Sequence, residues 1–160
     1  MSIQTRLRRT IVIDNLLLTN EVKDHTPPAI TTRNKDSEGQ AIIAEQMVGI
    51  EKLEAKFNLI GSIEEVRKAV GAGYAKLIDI VVTDTGLNGS NGKSYTHTYI
   101  YSTKVKGITP ATGADGEEAI EVTLSPQTYT MKADGTTLDY VDVDTLALTI
   151  GGHVILEPVS

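Results

Sequence analysis

The triplet Asp84-Thr85-Gly86 is the first place where this sequence could perform chemistry. It matches the triplet of aspartic proteases, in which two such aspartates meet across a two-fold axis and share one proton. A homodimer would meet that requirement formally, so an aspartic-protease-like hydrolase is one alternative for the function. A three-residue match arises easily, however, and Asp and Gly are also common in polar turns that follow a strand. The next residues, Leu87-Asn88-Gly89-Ser90, favour such a turn.

Two further patterns resemble ligand sites. The segment Gly89–Ser94 is similar to a phosphate-binding loop, but the first glycine of that motif would have to stand at Leu87. The segment also leads into a predicted strand, so no helix N-terminus would face a phosphate.

Asp142 and Asp144 would share one face of a strand, yet no third metal ligand stands near them in the sequence. The three histidines are far apart: His25, His97 and His153.

Composition narrows the class of protein. The 160 residues are 40% hydrophobic and 22% charged, which predicts one globular domain with a substantial core. The net charge of −6 argues against a broad grip on nucleic acid, because phosphate binding requires clustered Lys and Arg. The lack of cysteine excludes disulfides and thiol catalysis. We expect no catalytic residue, no metal, no cofactor and no membrane anchoring.

The stretch Gly49–Gly73 gives the clearest structural signal. Its first part alternates apolar and polar residues, which predicts a half-buried strand. The apolar positions are Leu53, Ala55, Phe57 and Leu59.

A short helix is predicted next, at about residues 62–70. Ser62 and Glu65 have the spacing of a capping box, and Gly61 ends the preceding strand. Glu64 and Lys68 stand at i,i+4 on the exposed face. Gly71 is expected to end the helix in a left-handed conformation.

The chain as a whole predicts nine or ten short strands, typical of a β-sandwich or partly closed barrel with one helix. The longest predicted strand is Tyr95–Thr109, between loops at Gly86–Ser94 and Pro110–Gly116. Asp134-Gly135 predicts a hairpin turn. Long polar-faced hairpins can pair with another chain, which favours an assembly protein.

The N-terminal part predicts a basic arm and a hairpin. Residues 1–9 are polar and basic, so we predict an extended arm before a short strand at Thr10–Ile13. Residues 29–34 and 40–48 predict the two strands of a hairpin with the polar tip Lys35–Gly39.

A second alternative is a β-sandwich module that binds a ligand or a carbohydrate. Tyr95, Tyr99 and Tyr101 would share one face of the long strand and could form its platform. Buried or interfacial tyrosines explain the same pattern equally well.

In the order of its segments, the chain resembles the major tail tube proteins of contractile-tailed bacteriophages and phage-tail-like bacteriocins. The resemblance extends from Val22 to Leu156. It rests on Gly49–Phe57 before the helix, on Tyr129–Gly135, and on Tyr140–Asp144 followed by apolar residues and Gly152. One departure is Val154, where that family commonly has an aspartate.

The resemblance implies a mainly β, antiparallel single tail-tube domain over residues 1–160. It implies a homohexameric ring, and rings that stack into a hollow tube inside a contractile sheath. Long hairpins would join a multi-subunit inner β-barrel, with residues 29–34 and 40–57 facing the lumen and the tip Lys35–Gly39 reaching the next ring. The tube would belong to a virion tail or a tailocin particle made in the host cytoplasm. A type VI secretion-like machine is the nearest alternative.

The implied partners are further copies of the chain, the sheath protein, and baseplate and tape-measure proteins. DNA would pass through the lumen without specific binding. Candidate assembly and lumen residues follow by region: Arg6, Arg8, Arg9, Lys35, Asp36, Glu38, Glu45, Glu54 and Lys56.

Overall fold

The computed structural model describes residues 4–18, 21–36, 45–61, 63–89, 91–112, 116 and 118–158. The prediction of a mainly β fold with one short helix is confirmed. A 3-10 turn at Gly71–Tyr74 follows the helix. The strands are β1 (Gln4–Ile13), β2 (Leu16–Leu18), β3 (Glu21–Thr26), β4 (Thr32–Asp36), β5 (Glu45–Ile50), β6 (Ala55–Ile60), β7 (Ile78–Asn88), β8 (Ser94–Thr112), β9 (Glu118–Ala133), β10 (Thr136–Asp142), β11 (Ala147–Ile150) and β12 (His153–Leu156), and the helix is α1 (Ile63–Val70).

One large antiparallel sheet contains most of the strands. Its main path runs β12-β11-β10-β9-β8-β7-β1-β2. The strand β9 has two neighbours on its other edge: β6 along its first half and β10 along its second half. Since β3 pairs with β6, a second layer branches from β9 and packs over the first. Within the described residues the two ends of the path do not pair, so the sheet does not close into a barrel.

The long hairpin of β8 and β9 joins the two layers. The predicted long strand is confirmed, and it extends beyond its predicted end, because β8 pairs with β9 as far as Thr112. The predicted loop at Pro110–Gly116 therefore begins too early. Register shifts in β8 at Ser102/Thr103 and Val105/Gly107 mark where the hairpin passes from one layer to the other.

The prediction of a turn at Asp84-Thr85-Gly86 is wrong. These residues lie inside β7, where they pair with both β1 and β8. The predicted loop at Gly86–Ser94 is correspondingly shorter, because β7 continues to Asn88. The neighbouring strands on both sides satisfy the backbone hydrogen-bonding groups of these residues, so the chain stays extended there instead of turning.

The strand and helix predicted within Gly49–Gly73 are confirmed. Phe57 and Leu59 are each 1% exposed, and Val66 and Val70 on α1 are fully buried. The Lys68 Nζ and Glu64 Oε1 atoms lie 3.0 Å apart on the exposed face. Ser62, the predicted cap, lies outside the described residues.

The prediction for Gly71 is wrong. Gly71 begins the 3-10 turn rather than adopting a left-handed conformation. The chain keeps turning because Gly73 packs closely against Val105 and Ile78, where a Cβ atom on residue 73 would clash with the Val105 side chain.

The N-terminal residues differ from the predicted extended arm. Residues 4–9 belong to β1, which pairs with β7 from Gln4 to Ile13 and contains a bulge between Arg6 and Arg8. The short strand predicted at Thr10–Ile13 therefore begins at least six residues earlier, because β7 offers a partner along its whole length.

The strands β4 and β5 form a separate two-stranded sheet. Their antiparallel pairing confirms the predicted hairpin but not its bounds. The first strand is Thr32–Asp36 rather than residues 29–34, so Lys35 and Asp36 belong to the strand and not to the predicted tip, because they pair with Gln46 and Glu45. Residues 37–44 lie outside the described part.

Candidate assembly surfaces and a buried polar cluster

The β4–β5 hairpin brings three of the predicted assembly residues to one end. Asp36 is opposite Glu45, and Lys35 is opposite Gln46. Glu38, which would complete this group, lies outside the described residues. In the described part of the chain, neither strand pairs with the main sheet. The hairpin is therefore a sheet of its own within the described residues.

Glu54 and Lys56 form a small charged group with a third residue that the sequence did not indicate. The Lys106 Nζ atom lies 3.2 Å from Glu54 Oε2, and the Lys56 Nζ atom lies 3.9 Å from Glu54 Oε1. All three side chains are about half exposed. Exposed ion pairs of this kind add little stability, so these residues are free to serve an interface or a lumen surface.

The three N-terminal arginines do not share one environment. The structure places the backbone of Arg6 in β1, while the Arg8 side chain is exposed. Arg9 turns inward and holds Asp84 with two hydrogen bonds, from Nε to Oδ1 at 2.6 Å and from Nη2 to Oδ2 at 3.0 Å. Arg8 and Arg9 therefore do not belong to one extended basic arm.

The Arg9–Asp84 pair gives the aspartate of the protease-like triplet a structural partner. The side chains are 13% and 11% exposed, respectively, so the pair is largely removed from solvent. This bidentate guanidinium–carboxylate contact holds both side chains in place and links β1 to β7. A shared-proton dyad would instead require the carboxylate to face a second carboxylate.

A cluster of rings lies beside this pair and connects β3 to β8. His25 Nε2 and the Tyr101 hydroxyl are 2.7 Å apart. The Tyr99 ring meets the imidazole edge-on at 4.8 Å, and Tyr129 stacks on Tyr101 at 5.4 Å. The three tyrosines of the predicted platform are thus packed inward or partly covered: Tyr101 is fully buried and Tyr95 is 7% exposed.

Burial sets the protonation of this cluster. Burial, with a smaller contribution from the Arg9 guanidinium, lowers the pKa of His25 to about 4, whereas Asp84 opposes the shift. Burial also raises the pKa of Tyr101 far above its ordinary value. Near neutral pH the imidazole and the phenol are therefore both uncharged, and their hydrogen bond links two neutral groups.

The titration of His25 predicts a loss of stability in acid. Its pKa is lower in the folded protein than the ordinary 6.5, so between those values the unfolded chain binds more protons. We expect the free energy of unfolding to fall by about 2 to 3 kcal/mol as the pH drops from about 6.5 to about 4, in addition to any effect of the carboxylates. Urea unfolding of dilute protein at a series of pH values measures the slope.

His25→Gln removes this titration and should flatten the pH dependence over that window. His153→Gln, at an exposed position, is the matched control and should keep the wild-type slope. Equal slopes in all three proteins would contradict the assignment.

The other patterns that suggested ligands have structural roles. Asp142 Oδ1 accepts a hydrogen bond from the backbone N–H of Asp144 at 3.0 Å, because β10 ends at Asp142 and the chain turns there. Within the described ranges, no group of three acidic, histidine or cysteine side chains is placed to hold a metal ion. None of the helices in those ranges is long and apolar enough to span a bilayer.

The comparisons with known proteins agree with this fold. Three solved structures, each 10% identical in sequence to this chain, have a similar fold. One is the sheath/tube terminator of PVC, an extracellular contractile injection system, with a TM-score of 0.57 over 78% of this chain and 93% of that chain. Another is the PVC sheath–tube complex, with a TM-score of 0.54 over 79% and 88%. A type six secretion system protein has a TM-score of 0.59 over 88% and 98%.

The amino-acid sequence also matches a known protein family. No curated protein shows significant similarity to the chain. The family model described as "Phage tail tube protein FII", however, matches residues 7–159, from β1 to beyond β12. The resemblance inferred from the order of the segments is therefore confirmed, and the chain belongs to the phage tail tube protein FII family.

Proposed function

We propose that this protein is the structural subunit of the inner tube of a contractile tail. Copies form hexameric rings, and the rings stack into a hollow tube that conducts DNA or effectors through the target envelope. The observation that carries the proposal is the match of the tail tube family over residues 7–159 of a chain whose β4–β5 hairpin, within the described residues, forms a sheet of its own. Joining such hairpins edge to edge around a ring would remove their open edges, as barrel closure does.

The hairpin and the residues next to it would form the wall of the lumen. Residues 29–34 and 40–57 would line the lumen, and the tip at residues 35–39 would contact the next ring. The backbone positions of Lys35, Asp36 and Glu45 are at that end of the hairpin. The net charge of −6 would repel the DNA backbone, so cargo could pass without being held.

We propose a structural protein without catalytic activity. Arg9 occupies both carboxylate oxygens of Asp84, which supports a structural role for the protease-like triplet. The sheath, baseplate and tape-measure proteins are the proposed partners. The particle would be a virion tail or a tailocin.

Negative-stain microscopy of the purified protein tests assembly. We expect rings that contain six copies of the chain, and hollow rods built from stacked rings. A strict monomer at every salt and protein concentration would overturn the proposal.

The tube of a type VI secretion-like machine is a second candidate, favoured by the fold shared with a type six secretion system protein. The two candidates differ in cargo. Nuclease-protected DNA inside particles isolated from cells would identify a DNA-carrying tail, whereas particles that contain only protein would favour the second candidate.

A further inference from the structure

The turn between β7 and β8 contains the two Asn-Gly pairs of the sequence, Asn88-Gly89 and Asn91-Gly92. It belongs to the segment that resembled a phosphate-binding loop, and it joins two strands that pair without a register shift. An asparagine before a glycine is chemically special, because glycine has no side chain to shield the backbone nitrogen that follows the asparagine. That nitrogen can attack the side-chain amide, so the surroundings of each pair decide whether it reacts.

The side chain of Asn91 is exposed and lies beside the peptide bond that would supply the attacking nitrogen. Its Oδ1 atom accepts a hydrogen bond from the backbone N–H of Lys93 at 2.9 Å. This local bond holds the side-chain carbonyl on the C-terminal side of Asn91, where the Gly92 nitrogen lies. It also draws electron density away from Cγ, because a donor aimed at a carbonyl oxygen favours attack at the carbon.

The backbone around Asn91 offers little resistance to that attack. Gly92 is exposed with a φ angle of 68°, and a Cβ atom there would meet nothing within 4 Å. Its N–H donates to the Asn88 carbonyl at 2.9 Å, and water can replace this bond at small net cost because Gly92 faces the solvent. Among the described residues, no backbone hydrogen bond involves the N–H or C=O of Asn91 itself.

Asn88 has the same neighbour in sequence but a different environment. It is half-buried at the end of β7, where it pairs with Gln4 of β1. Its N–H also donates to the Lys93 carbonyl at 2.8 Å. Ring closure requires rotation about the Cα–C bond of the asparagine, and pairing on both sides holds Asn88 extended. The folded structure therefore protects Asn88 and leaves Asn91 open to reaction.

We propose that Asn91 is a site of spontaneous deamidation in the folded protein. A solvent hydroxide ion removes the N–H proton of Gly92, and the nitrogen attacks Asn91 Cγ. The new C–N bond closes a succinimide ring, and the side-chain nitrogen takes up a proton and leaves as ammonia. Water then opens the ring at either carbonyl carbon and gives aspartate or isoaspartate. The net change consumes one water and releases one ammonia, without oxidation or reduction.

This chemistry goes beyond the proposed tube function and does not depend on it. Each converted copy gains one negative charge in the turn, and isoaspartate places an extra carbon atom in the backbone there. The turn lies outside the common hydrophobic core, so converted copies should remain folded. A population of copies therefore becomes chemically mixed at this turn as it ages.

Mass spectrometry of the full chain, kept dilute at mildly alkaline pH, tests the site. Trypsin releases residues 77–93 as one peptide that contains both asparagines, and fragmentation of this peptide assigns the mass gain to one of them. We expect Asn91 to react at least about tenfold faster than Asn88, a ratio that corresponds to a barrier difference of about 1.4 kcal/mol. In urea, where the strand pairing is lost, the two sites should react at similar rates.

Two variants serve as matched controls. Asn91→Gln should abolish the reaction at this position, because its longer side chain closes a larger ring more slowly. Asn88→Gln makes the same change at the protected pair and should keep the wild-type rate at Asn91. Equal rates at Asn88 and Asn91 in the folded protein, or an Asn91 that reacts only in urea, would overturn the proposal. Neither result bears on the tube function, which microscopy of rings and rods tests separately.

Discussion

Val66→Asp is expected to leave the chain unfolded. Val66 is fully buried on α1, and it belongs to the common core that joins the helix to the sheet. The change removes about 1.5 to 3 kcal/mol of apolar burial and places a carboxylate where it has no partner, at a cost of several kcal/mol more. The sum is comparable with the whole stability of a typical domain, about 5 to 15 kcal/mol. Circular dichroism and the soluble yield measure the loss.

Arg67→Asp is the matched control, because it introduces the same residue at the next position of the helix, where the side chain is exposed. It should cost about 0.5 to 1 kcal/mol, mainly because a negative charge is unfavourable near a helix C-terminus. Well-folded Val66→Asp protein would show that α1 does not dock on the sheet through this face.

Asp84→Ala is expected to have the second largest effect. It leaves the Arg9 guanidinium largely buried without the carboxylate that now accepts two hydrogen bonds from it. Removal of one partner from a buried ion pair costs about 3 to 5 kcal/mol. Urea unfolding of dilute protein measures the change.

The double variant Arg9→Met with Asp84→Leu tests the cause of that loss. Apolar residues of similar size often replace a buried pair at little cost, so the double variant should be more stable than Asp84→Ala. If it is equally unstable, the loss does not come from the unpaired arginine. Asp84→Asn should still assemble into rods, and a proteolytic activity lost in that variant would revive the hydrolase alternative.

Local patterns predicted the elements whose burial follows from sequence spacing alone. The alternation through Phe57 and Leu59 identified β6, and the apolar face with Val66 and Val70 identified α1. The Asp134-Gly135 turn was also predictable, because both residues adopt the positive φ angles, 50° and 84°, that such a turn requires.

The errors occurred where a distant partner decides the local structure. Gly71 could end a helix, but the packing of Gly73 against Val105 continues the turn instead. Asp84-Thr85-Gly86 has the composition of a turn, but strands on both sides hold it extended.

The buried polar cluster could not be predicted from the sequence. His25 and Tyr101 are 76 residues apart, and no local spacing signals their hydrogen bond. The period of two correctly places Tyr95, Tyr99 and Tyr101 on one face of β8. That face is covered because β3 packs over it, which the spacing of the tyrosines does not show.

The pairing of β1 with β7 also determines how the chain can fold while it is being made. Arg9 and Asp84 are 75 residues apart, so β1 leaves the ribosome long before its partner strand exists. Contacts of such long range form slowly, whereas β8 and β9 can pair soon after both have emerged. The edge of β1 that pairs with β7 therefore stays open during synthesis of the intervening chain, a period in which nascent copies on neighbouring ribosomes can associate incorrectly.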